Sequence, residues 1–377
     1  MGQLAGKENE TSMGCTKPLV RFKNGQITSL KKYLWSDEHT RKNGIIIDGI
    51  EIVSQESELL NMLRLDEAQL IPCGQCTGCK LQNSSSWANR MEMELPYHKN
   101  AWFLTLTYDN EHVPYRYTYD KLTGEVITEN LSLCDEDMQK FWKRLRRWLE
   151  YHKRNQEALM YFQAGEYGSK THRPHYHAIV YSLPIQQDEL KTYKKEKGYT
   201  YYNVDWITKL WGMGHVVIAA AEWKNMAYTA RYTTKKVYGK AGQEYYQELG
   251  ITPERCMMSK GIGQRYYFEH KDEIYAKDSI QLANGKTCKP PRYFDKLFDL
   301  EHSNSAPLSE AETTGIEDTI VKAESEELRA IKRERRRIAN DALFAQLQQT
   351  GLNMQEYYTA KDKAMQDRMK KLIREEI

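Results

Sequence analysis

Two histidines separated by a single residue, His175 and His177, are the first candidates for chemistry in this sequence. If the segment is a β-strand, both imidazoles lie on one face, because strand side chains alternate between faces. Imidazole nitrogens bind divalent transition metals, and added oxygen ligands also suit Mg²⁺ or Mn²⁺. Glu166, at the end of the preceding strand-like segment, is the expected third ligand if the two segments form a hairpin, with Gln163 as the alternative. Taken alone, the pair also fits two surface histidines that bind no metal.

Two tyrosines, Tyr228 and Tyr232, have the spacing that places both on one face of a helix, and Lys235 lies one turn further along. A phenol, with an ordinary pKa of about 10, is a poor nucleophile at neutral pH. A bound metal and a nearby ammonium group stabilise the charge that develops when a phenol attacks a phosphate. A metal site beside two tyrosines and a lysine predicts an enzyme that breaks and rejoins a phosphodiester. The tyrosine pair alone also fits ordinary aromatic packing.

A cysteine triplet, Cys73, Cys76 and Cys79, has spacing typical of half a zinc site. Three thiolates need a fourth ligand to complete a tetrahedron, and the remaining cysteines and histidines supply several candidates. Cys15, Cys134 and Cys256 are among these candidates, and their spacing does not choose between them. The stronger zinc signature, a second Cys-x-x-Cys pair about 15–20 residues away, is absent. Structural Zn²⁺, free thiols and a redox pair all remain open for this segment.

Bulk composition narrows the class of protein without assigning a function. The chain has 377 residues, 40% of them hydrophobic, and a formal net charge of +3, which is too small to indicate a partner. No apolar run approaches the ~18 residues that a membrane span needs, and the first residues lack the apolar segment of a signal peptide. The sequence therefore predicts a cytosolic protein without a membrane partner. No nucleotide-binding P-loop motif occurs, so any strand separation needs another protein.

Hydrophobic patterning predicts the order strand, helix, strand, strand, helix, strand, helix, after a further strand at 44–53. Paired antiparallel strands with helices packed to one side indicate an α+β fold with an antiparallel central sheet, broadly ferredoxin-like. Lys191–Lys197 is expected to be helical or irregular. On the helix at 135–153, Arg144 and Arg147 lie off the apolar stripe and either contact DNA phosphates or face solvent. The predicted elements are Trp102–Tyr108, Asp135–Lys153, Ala158–Gln163, His175–Tyr181, Trp206–Trp211, His215–Ala219 and Glu222–Lys236.

Composition changes along the chain predict four segments. Residues 1–14 are expected to be disordered, 15–100 to form an N-terminal segment with the cysteine triplet, 101–300 a catalytic domain, and 301–377 a charged arm. Residues 321–377 lack proline and favour one or two helices. The basic run Lys332–Arg337 is a candidate to hold DNA or to dock a host protein.

Taken together, the histidine and tyrosine pairs resemble the motifs of the HUH superfamily of single-strand DNA endonucleases, whose sheet is ferredoxin- or RRM-like. The bulky Tyr176 occupies the position between the histidines, and the Tyr-x-x-x-Tyr-x-x-Lys spacing is similar to that of two-tyrosine rolling-circle replication initiators. The closest resemblance is to the initiators of small single-stranded DNA phages, the gokushovirus branch of the Microviridae, over about residues 70–267. The matching segments, in order, are Pro72–Cys79, Trp87–Arg90, Phe103–Asp109, Gly165–Gly168, Arg173–Ala178, Tyr228–Lys236 and Lys260–Gly263.

This resemblance implies a replication initiator that nicks single-stranded origin DNA through a 5′-phosphotyrosine and later rejoins the ends. It implies Mg²⁺ or Mn²⁺ on the two histidines and a third polar ligand, one or two attacking tyrosines in an order that stays open, and Lys235 as phosphate stabiliser. Arg231 and Lys236 join Arg144 and Arg147 as expected DNA contacts. Host helicase and polymerase are the expected partners, in the cytoplasm of an infected bacterium. The alternatives are a nickase of a plasmid or mobile element, and a zinc-dependent nucleic-acid-binding protein without catalysis.

Overall fold

Short runs of aromatic and β-branched residues form most of the strands of the protein. The computed structural model describes residues 14–35, 45–47, 50–52, 55–196, 198–232, 239–283, 285–303 and 325–374. The strands in these ranges are β1 Leu19–Phe22, β2 Ile27–Ser29, β3 Ile45–Ile47, β4 Ile50–Ile52, β5 Ala68–Ile71, β6 Ala101–Tyr108, β7 Tyr115–Tyr119, β8 Val126–Leu131, β9 Met160–Tyr167, β10 Pro174–Tyr181, β11 Lys191–Glu196, β12 Tyr199–Asn203, β13 Gly214–Ala220, β14 Cys256–Met258, β15 Ile280–Gln281 and β16 Thr287–Cys288.

Helices alternate with these strands along the described chain. They are α1 Leu30–Trp35, α2 Gln55–Arg64, α3 Thr77–Glu94, α4 Asp135–Tyr151, α5 Asp205–Trp211, α6 Trp223–Arg231, α7 Gly239–Leu249, α8 Gln264–Lys277, α9 Arg292–Ser303, α10 Glu326–Thr350 and α11 Met354–Arg374. None of the described helices is both long enough and apolar enough to cross a membrane.

The central sheet has seven strands in the order β11-β12-β13-β6-β10-β9-β14. Every neighbouring pair is antiparallel. This arrangement confirms the predicted α+β class with an antiparallel central sheet. The predicted strands at 102–108 and 215–219 and the predicted helix at 135–153 appear as β6, β13 and α4, with ends shifted by a few residues at most.

Helices cover both faces of this sheet, which corrects the expectation that they pack to one side. Leu104 and Leu106 of β6 face a core completed by α4 and α5, which contribute Phe141 and Trp211 among others. The alternate residues of the same strands, such as Phe103, face a second core completed by α3 and α6. Strands buried on both faces have near-continuous apolar sequences, so their patterning does not show how many helical layers cover them.

Lys191–Glu196 forms the edge strand β11, so the expected helical or irregular structure at this position is wrong. All of its residues are exposed, and its register against β12 shifts once, between Thr192 and Lys194. Lysines on an edge strand discourage pairing with another chain, and they also remove the apolar alternation that marks a strand in a sequence. The predicted strand at 44–53 is a short β3–β4 hairpin, with 44, 48–49 and 53 outside the described residues.

The C-terminal helices pack on the N-terminal segment. Leu343, Leu347 and Met354 join Val20 and Leu59 in one apolar cluster. Helices α10 and α11 confirm the predicted helical structure at the C-terminus. The division of the chain into four segments stays a prediction. The expected disorder at 1–14, except for Gly14, lies outside the described residues, as does most of the polar stretch at 301–320.

One residue of the basic run Lys332–Arg337 forms ion pairs within the protein. Arg335 of α10 forms ion pairs with Asp278 and Asp295, at 2.6 and 2.7 Å, and only about a fifth of its side chain is exposed. Burial disfavours the charged form of Arg335, but hydrogen bonds and charges from both aspartates raise its pKa above the usual range. Arg335 therefore joins α10 to the segment around α9.

Replacing Arg335 by leucine should lower the free energy of unfolding by about 3 kcal/mol, because it removes the cation paired with the largely buried Asp295 carboxylate and leaves Asp278 with Lys289. Arg337→Leu is the matched control, since Arg337 forms exposed pairs with Glu334 and Asp341 that solvent screens and that contribute little to stability. Chemical denaturation of both variants measures the difference. Equal losses in the two variants would contradict the structural role of Arg335.

Candidate active site

The pairing of β9 with β10 brings the predicted metal ligands together. In this antiparallel register His175 lies directly opposite Glu166, and His177 lies opposite Ala164. Because strand side chains alternate, Glu166, His175 and His177 all point to the face covered by α3 and α6. The sequence-based expectation of a hairpin that returns Glu166 to the histidines agrees with this geometry.

Three ligand atoms converge at one point on this face. The carboxylate Oε2 of Glu166 lies 3.1 Å from Nε2 of His175 and 3.4 Å from Nε2 of His177. One ligand atom from each residue falls within 4.8 Å of the others. Glu166 and His177 are only 5% and 4% exposed, so water competes poorly for these atoms. One carboxylate oxygen and two imidazole nitrogens form a suitable partial ligand set for Mn²⁺ or Mg²⁺, with positions left for water or phosphate oxygens.

The second nitrogen of each imidazole is held by a neighbour. Nδ1 of His175 lies 3.1 Å from the carbonyl oxygen of Arg173, which can only accept, so this nitrogen carries the proton. Nδ1 of His177 lies 3.0 Å from Oγ1 of Thr105, the residue paired with it on β6. Such partners orient metal-binding histidines and direct the lone pair of Nε2 toward the ion.

The carboxyl group of Glu166 is held in its ionised form. Burial alone would raise its pKa, but hydrogen bonds and charges from His175 and His177 outweigh burial and keep the pKa well below the usual range. The Glu166 carboxylate is therefore ionised, as a ligand for a divalent cation must be. Gln163, the alternative ligand, lies on the other face of β9 and accepts a hydrogen bond from the indole of Trp142, so that alternative is wrong.

Both predicted tyrosines contact His177. Tyr228 lies on α6 and Tyr232 follows directly as the residue that ends this helix. The Tyr232 ring stacks on the His177 ring, with 5.1 Å between centroids and an interplanar angle of 6°. The Tyr228 ring meets the same imidazole edge-on, at 5.2 Å and 80°. The spacing of four residues thus aims two phenols at one histidine of the cluster, as the helical pattern predicted.

Tyr232 is protonated in this environment. Burial raises its pKa well above the usual range, and the nearby Tyr228 and Glu166 raise it further. An anionic carboxylate beside a phenol disfavours the phenolate, because the two negative charges repel. Any chemistry that uses the phenolate therefore needs positive charge close to Glu166.

The predicted basic residues fall into three groups. The Arg231 guanidinium lies 5.7 Å from the centre of the Tyr228 ring, near the tyrosines. Arg144 and Arg147 belong to α4 on the opposite face of the sheet, and Arg144 donates to the carbonyl oxygens of Leu210 and Trp211 at the end of α5. Lys235 and Lys236 lie outside the described residues.

Two residues of the site were not identified from the sequence. Thr105 supports His177, and Phe103 stacks on the same imidazole with 5.5 Å between ring centroids. Both belong to β6, which the sequence indicated only as a structural strand. The sequence did contain one sign of their face. Threonine occurs at alternate positions of this apolar strand, at 105 and 107, which indicates that one face of the strand is partly polar.

Comparison with known proteins identifies the family. A family model described as "Replication-associated protein ORF2/G2P" matches residues 101–237, which include all the strands and helices that carry the described site. The replication-associated protein ORF2 of Spiroplasma virus 4 is 33% identical over 298 residues, covering 77% of this chain and 81% of the relative. The chain belongs to the family of viral replication-associated proteins. This membership confirms the resemblance to the replication initiators of small phages.

Two further relatives are also named replication-associated proteins. Replication-associated protein VP4 of Bdellovibrio phage phiMH2K is 29% identical over 234 residues, covering 61% of this chain and 68% of the relative. Replication-associated protein ORF4 of Chlamydia phage 1 is 29% identical over 248 residues, covering 62% and 57% respectively. No solved structure matches this replication-associated protein.

Thr105→Val should weaken Mn²⁺ binding about 10-fold, because it removes the hydroxyl partner of His177 while keeping the side-chain shape. Thr107→Val is the matched control on the same strand and face, since its Oγ1 contacts the carbonyl oxygen of His215 and not the cluster. Isothermal titration with Mn²⁺ measures both affinities. Equal affinities for the two variants would show that Thr105 does not support a metal ligand.

Proposed function

We propose that this viral replication-associated protein is a metal-dependent nuclease that initiates replication by cutting single-stranded origin DNA with a tyrosine. One observation carries the proposal: Tyr228 and Tyr232 both contact His177, whose Nε2 converges with Nε2 of His175 and Oε2 of Glu166 on one point. A nucleophile and a candidate metal site are thus adjacent, on a face of the sheet where Glu166 is already anionic.

The donor set fits a divalent cation such as Mg²⁺ or Mn²⁺. We propose that Glu166, His175 and His177 hold it, with Thr105 and the Arg173 carbonyl fixing the imidazoles. When bound, the cation would supply Lewis-acid activation of a phosphate and positive charge beside the phenols. Ligation also neutralises the Glu166 carboxylate, which is one of the groups that raise the pKa of Tyr232.

The proposed covalent step exchanges one phosphate ester for another. The phenolic oxygen of one tyrosine attacks the scissile phosphorus, a tyrosine–phosphorus bond forms, and the bond from phosphorus to the 3′-oxygen breaks. The phenol loses a proton and the departing 3′-oxygen gains one, so the reaction is balanced without an oxidant or a nucleotide. The products are a 5′-phosphotyrosine and a free 3′-OH that a host polymerase can extend.

The presence of two tyrosines supports a second round of the same chemistry. After one circuit, the other tyrosine cuts the regenerated origin, and the released 3′-OH attacks the first phosphotyrosine to close a circle. The edge-on contact between the rings of Tyr228 and Tyr232, 5.1 Å apart, keeps both phenols near the same cluster.

Several basic residues have proposed roles in binding the phosphates of the DNA. Lys235 remains the proposed stabiliser of the scissile phosphate, and Arg231 and Lys236 the proposed contacts to nearby phosphates. Arg144 and Arg147 lie behind the sheet from the tyrosines, so any DNA contact they make is remote from the cut. A host helicase is proposed as partner because the sequence lacks a P-loop.

Two alternatives remain distinguishable from this proposal. A nickase of a plasmid or mobile element would use the same chemistry, but the matched relatives are named as proteins of a virus and two phages, which supports the viral reading. A nucleic-acid-binding protein without catalysis would form no covalent adduct under any metal condition.

The direct test incubates the protein with Mn²⁺ and tiled single-stranded oligonucleotides from the genome that encodes it. A denaturing gel should show a protein–DNA adduct, and digestion followed by mass spectrometry should locate it on Tyr228 or Tyr232. The Tyr228→Phe/Tyr232→Phe double variant should give no adduct. Tyr245→Phe, an exposed tyrosine on α7, is the control and should react normally. No adduct with any oligonucleotide, or an adduct with the double variant, would refute the proposal.

Removing one proposed metal ligand should slow cutting by at least about 100-fold. This loss is larger than that usually caused by changing a residue that only hydrogen-bonds to a ligand. His177→Ala tests the ligand, and His172→Asn is the control, since His172 lies in the β9–β10 turn with a positive φ that asparagine tolerates. Initial rates of adduct formation are compared over a Mn²⁺ titration, with EDTA as the zero point. Full activity in EDTA, or equal rates for both variants, would exclude a metal role for this cluster.

A further inference from the structure

Four cysteines from two distant parts of the chain meet in one cluster. Cys15 joins Cys73, Cys76 and Cys79, and their sulfur atoms all lie within 4.8 Å of one another. The Sγ atom of Cys15 is 3.7 Å from that of Cys73 and 3.7 Å from that of Cys76. The fourth thiol, which sequence spacing did not choose, is therefore Cys15 rather than Cys134 or Cys256.

The sulfur spacing matches a single tetrahedral metal ion. Zinc–thiolate bonds of about 2.3 Å place the sulfurs of a tetrahedron about 3.8 Å apart. A disulfide needs sulfur atoms about 2.05 Å apart, so the distances of 3.7 Å from Cys15 to Cys73 and to Cys76 do not fit one. Four thiolates with tetrahedral spacing are typical of zinc or iron rather than of the hard cations Mg²⁺ and Ca²⁺.

Backbone amides point at the sulfur atoms, as negative thiolates require. The amide nitrogen of Thr16 lies 3.3 Å from Sγ of Cys76, and that of Cys73 lies 3.4 Å from Sγ of Cys15. The amides of Cys76 and Cys79 donate to the sulfurs of Cys73 and Cys76, at 3.3 and 3.4 Å. These donors stabilise charge on the thiolates without adding a ligand.

The corner around the cysteines has a small buried apolar cluster of its own. Its buried cluster consists of Cys15, Cys76 and Cys79, with Cys73 packed against it. The antiparallel pairing of β1 with β5, in which Leu19 lies opposite Ile71, brings Cys15 beside Cys73 at the end of this small sheet. Gly78 also lets the chain approach closely, because a side-chain carbon there would come within 1.6 Å of the Gly14 carbonyl oxygen.

We propose that Cys15, Cys73, Cys76 and Cys79 bind one structural zinc ion. With four protein ligands the site is closed, so it has no open position for a substrate. The ion ties residue 15 to the start of α3, where Cys76 is the N-cap. Beside it, Thr16 and Lys17 contact Asp362 of α11, at 2.5 and 3.4 Å. The zinc site thus fastens the N-terminal segment, α3 and α11 to one another.

This cysteine site is separate from the proposed nicking centre, but it anchors a helix that packs beside that centre. The later part of α3 packs with α6, the helix that carries Tyr228, in the core on the catalytic face. Anchoring the first turn of α3 therefore stabilises one of the two helices that cover this face. The proposal does not depend on the nicking chemistry, since its readout is metal bound by sulfur.

The test uses the full-length protein, purified without added metal. Elemental analysis should find zinc and no iron, and replacement by Co²⁺ should give a thiolate-to-cobalt charge-transfer band with the visible bands of a tetrahedral site. Because this band reports only sulfur ligands, it separates the cysteine cluster from any metal at His175 and His177. Absence of the band, or iron in place of zinc, would overturn the proposal.

Cys15→Ser distinguishes a four-cysteine site from one formed by the triplet alone. This variant should lose zinc to a competing chelator at least about 10-fold faster than the wild-type protein. Cys134→Ser is the matched control, since Cys134 is the N-cap of α4, where serine is well accepted. Equal zinc retention by the two variants would rule out Cys15 as a ligand.

A measurement on the wild-type protein covers the case in which Cys15→Ser does not fold. Thiols are titrated with a disulfide reagent under native conditions, before and after a strong chelator removes the metal. Four additional thiols should become reactive after chelation, and peptide mapping should place them at positions 15, 73, 76 and 79. The same reactive thiols before and after chelation would contradict the site.

Discussion

The register of β9 against β10 is the constraint on which the rest of the site depends. It places Glu166 opposite His175 and puts His177 on the same face. A shift of one residue would turn the carboxylate to the other face, beside the core of α4 and α5, where a buried charge would have no partner. Apolar packing on both faces opposes such a shift, because Phe162 and Tyr161 would exchange the cores they now occupy.

The two faces of the sheet have divided roles. One face is closed by α4 and α5 and provides mainly packing, with Arg144 and Gln163 used to satisfy backbone and indole groups. The other face is covered by α3 and α6, and it alone carries the carboxylate, the imidazoles and the phenols. The carboxylate, the proposed metal ligands and the proposed nucleophiles thus share a site of low exposure, in which electrostatic interactions are stronger than in water.

Much of this site could be predicted from local spacing. Two histidines at alternate strand positions, two tyrosines one helical turn apart and a glutamate across a hairpin are short-range patterns, and the structure brings all five together. Thr105 and Cys15 could not be found in this way, because their roles depend on contacts between segments distant in sequence. The edge strand β11 was missed for a different reason, since its lysines remove the apolar alternation that marks a strand.

The central claim is that Glu166, His175 and His177 bind the metal at the site of the tyrosines. Anomalous diffraction from crystals grown with Mn²⁺ tests it most directly, because the signal locates the ion independently of any activity assay. The account predicts a peak bonded to Nε2 of both histidines and to the Glu166 carboxylate, next to Tyr228 and Tyr232. Mn²⁺ bound elsewhere, with this cluster empty at saturating Mn²⁺, would contradict it.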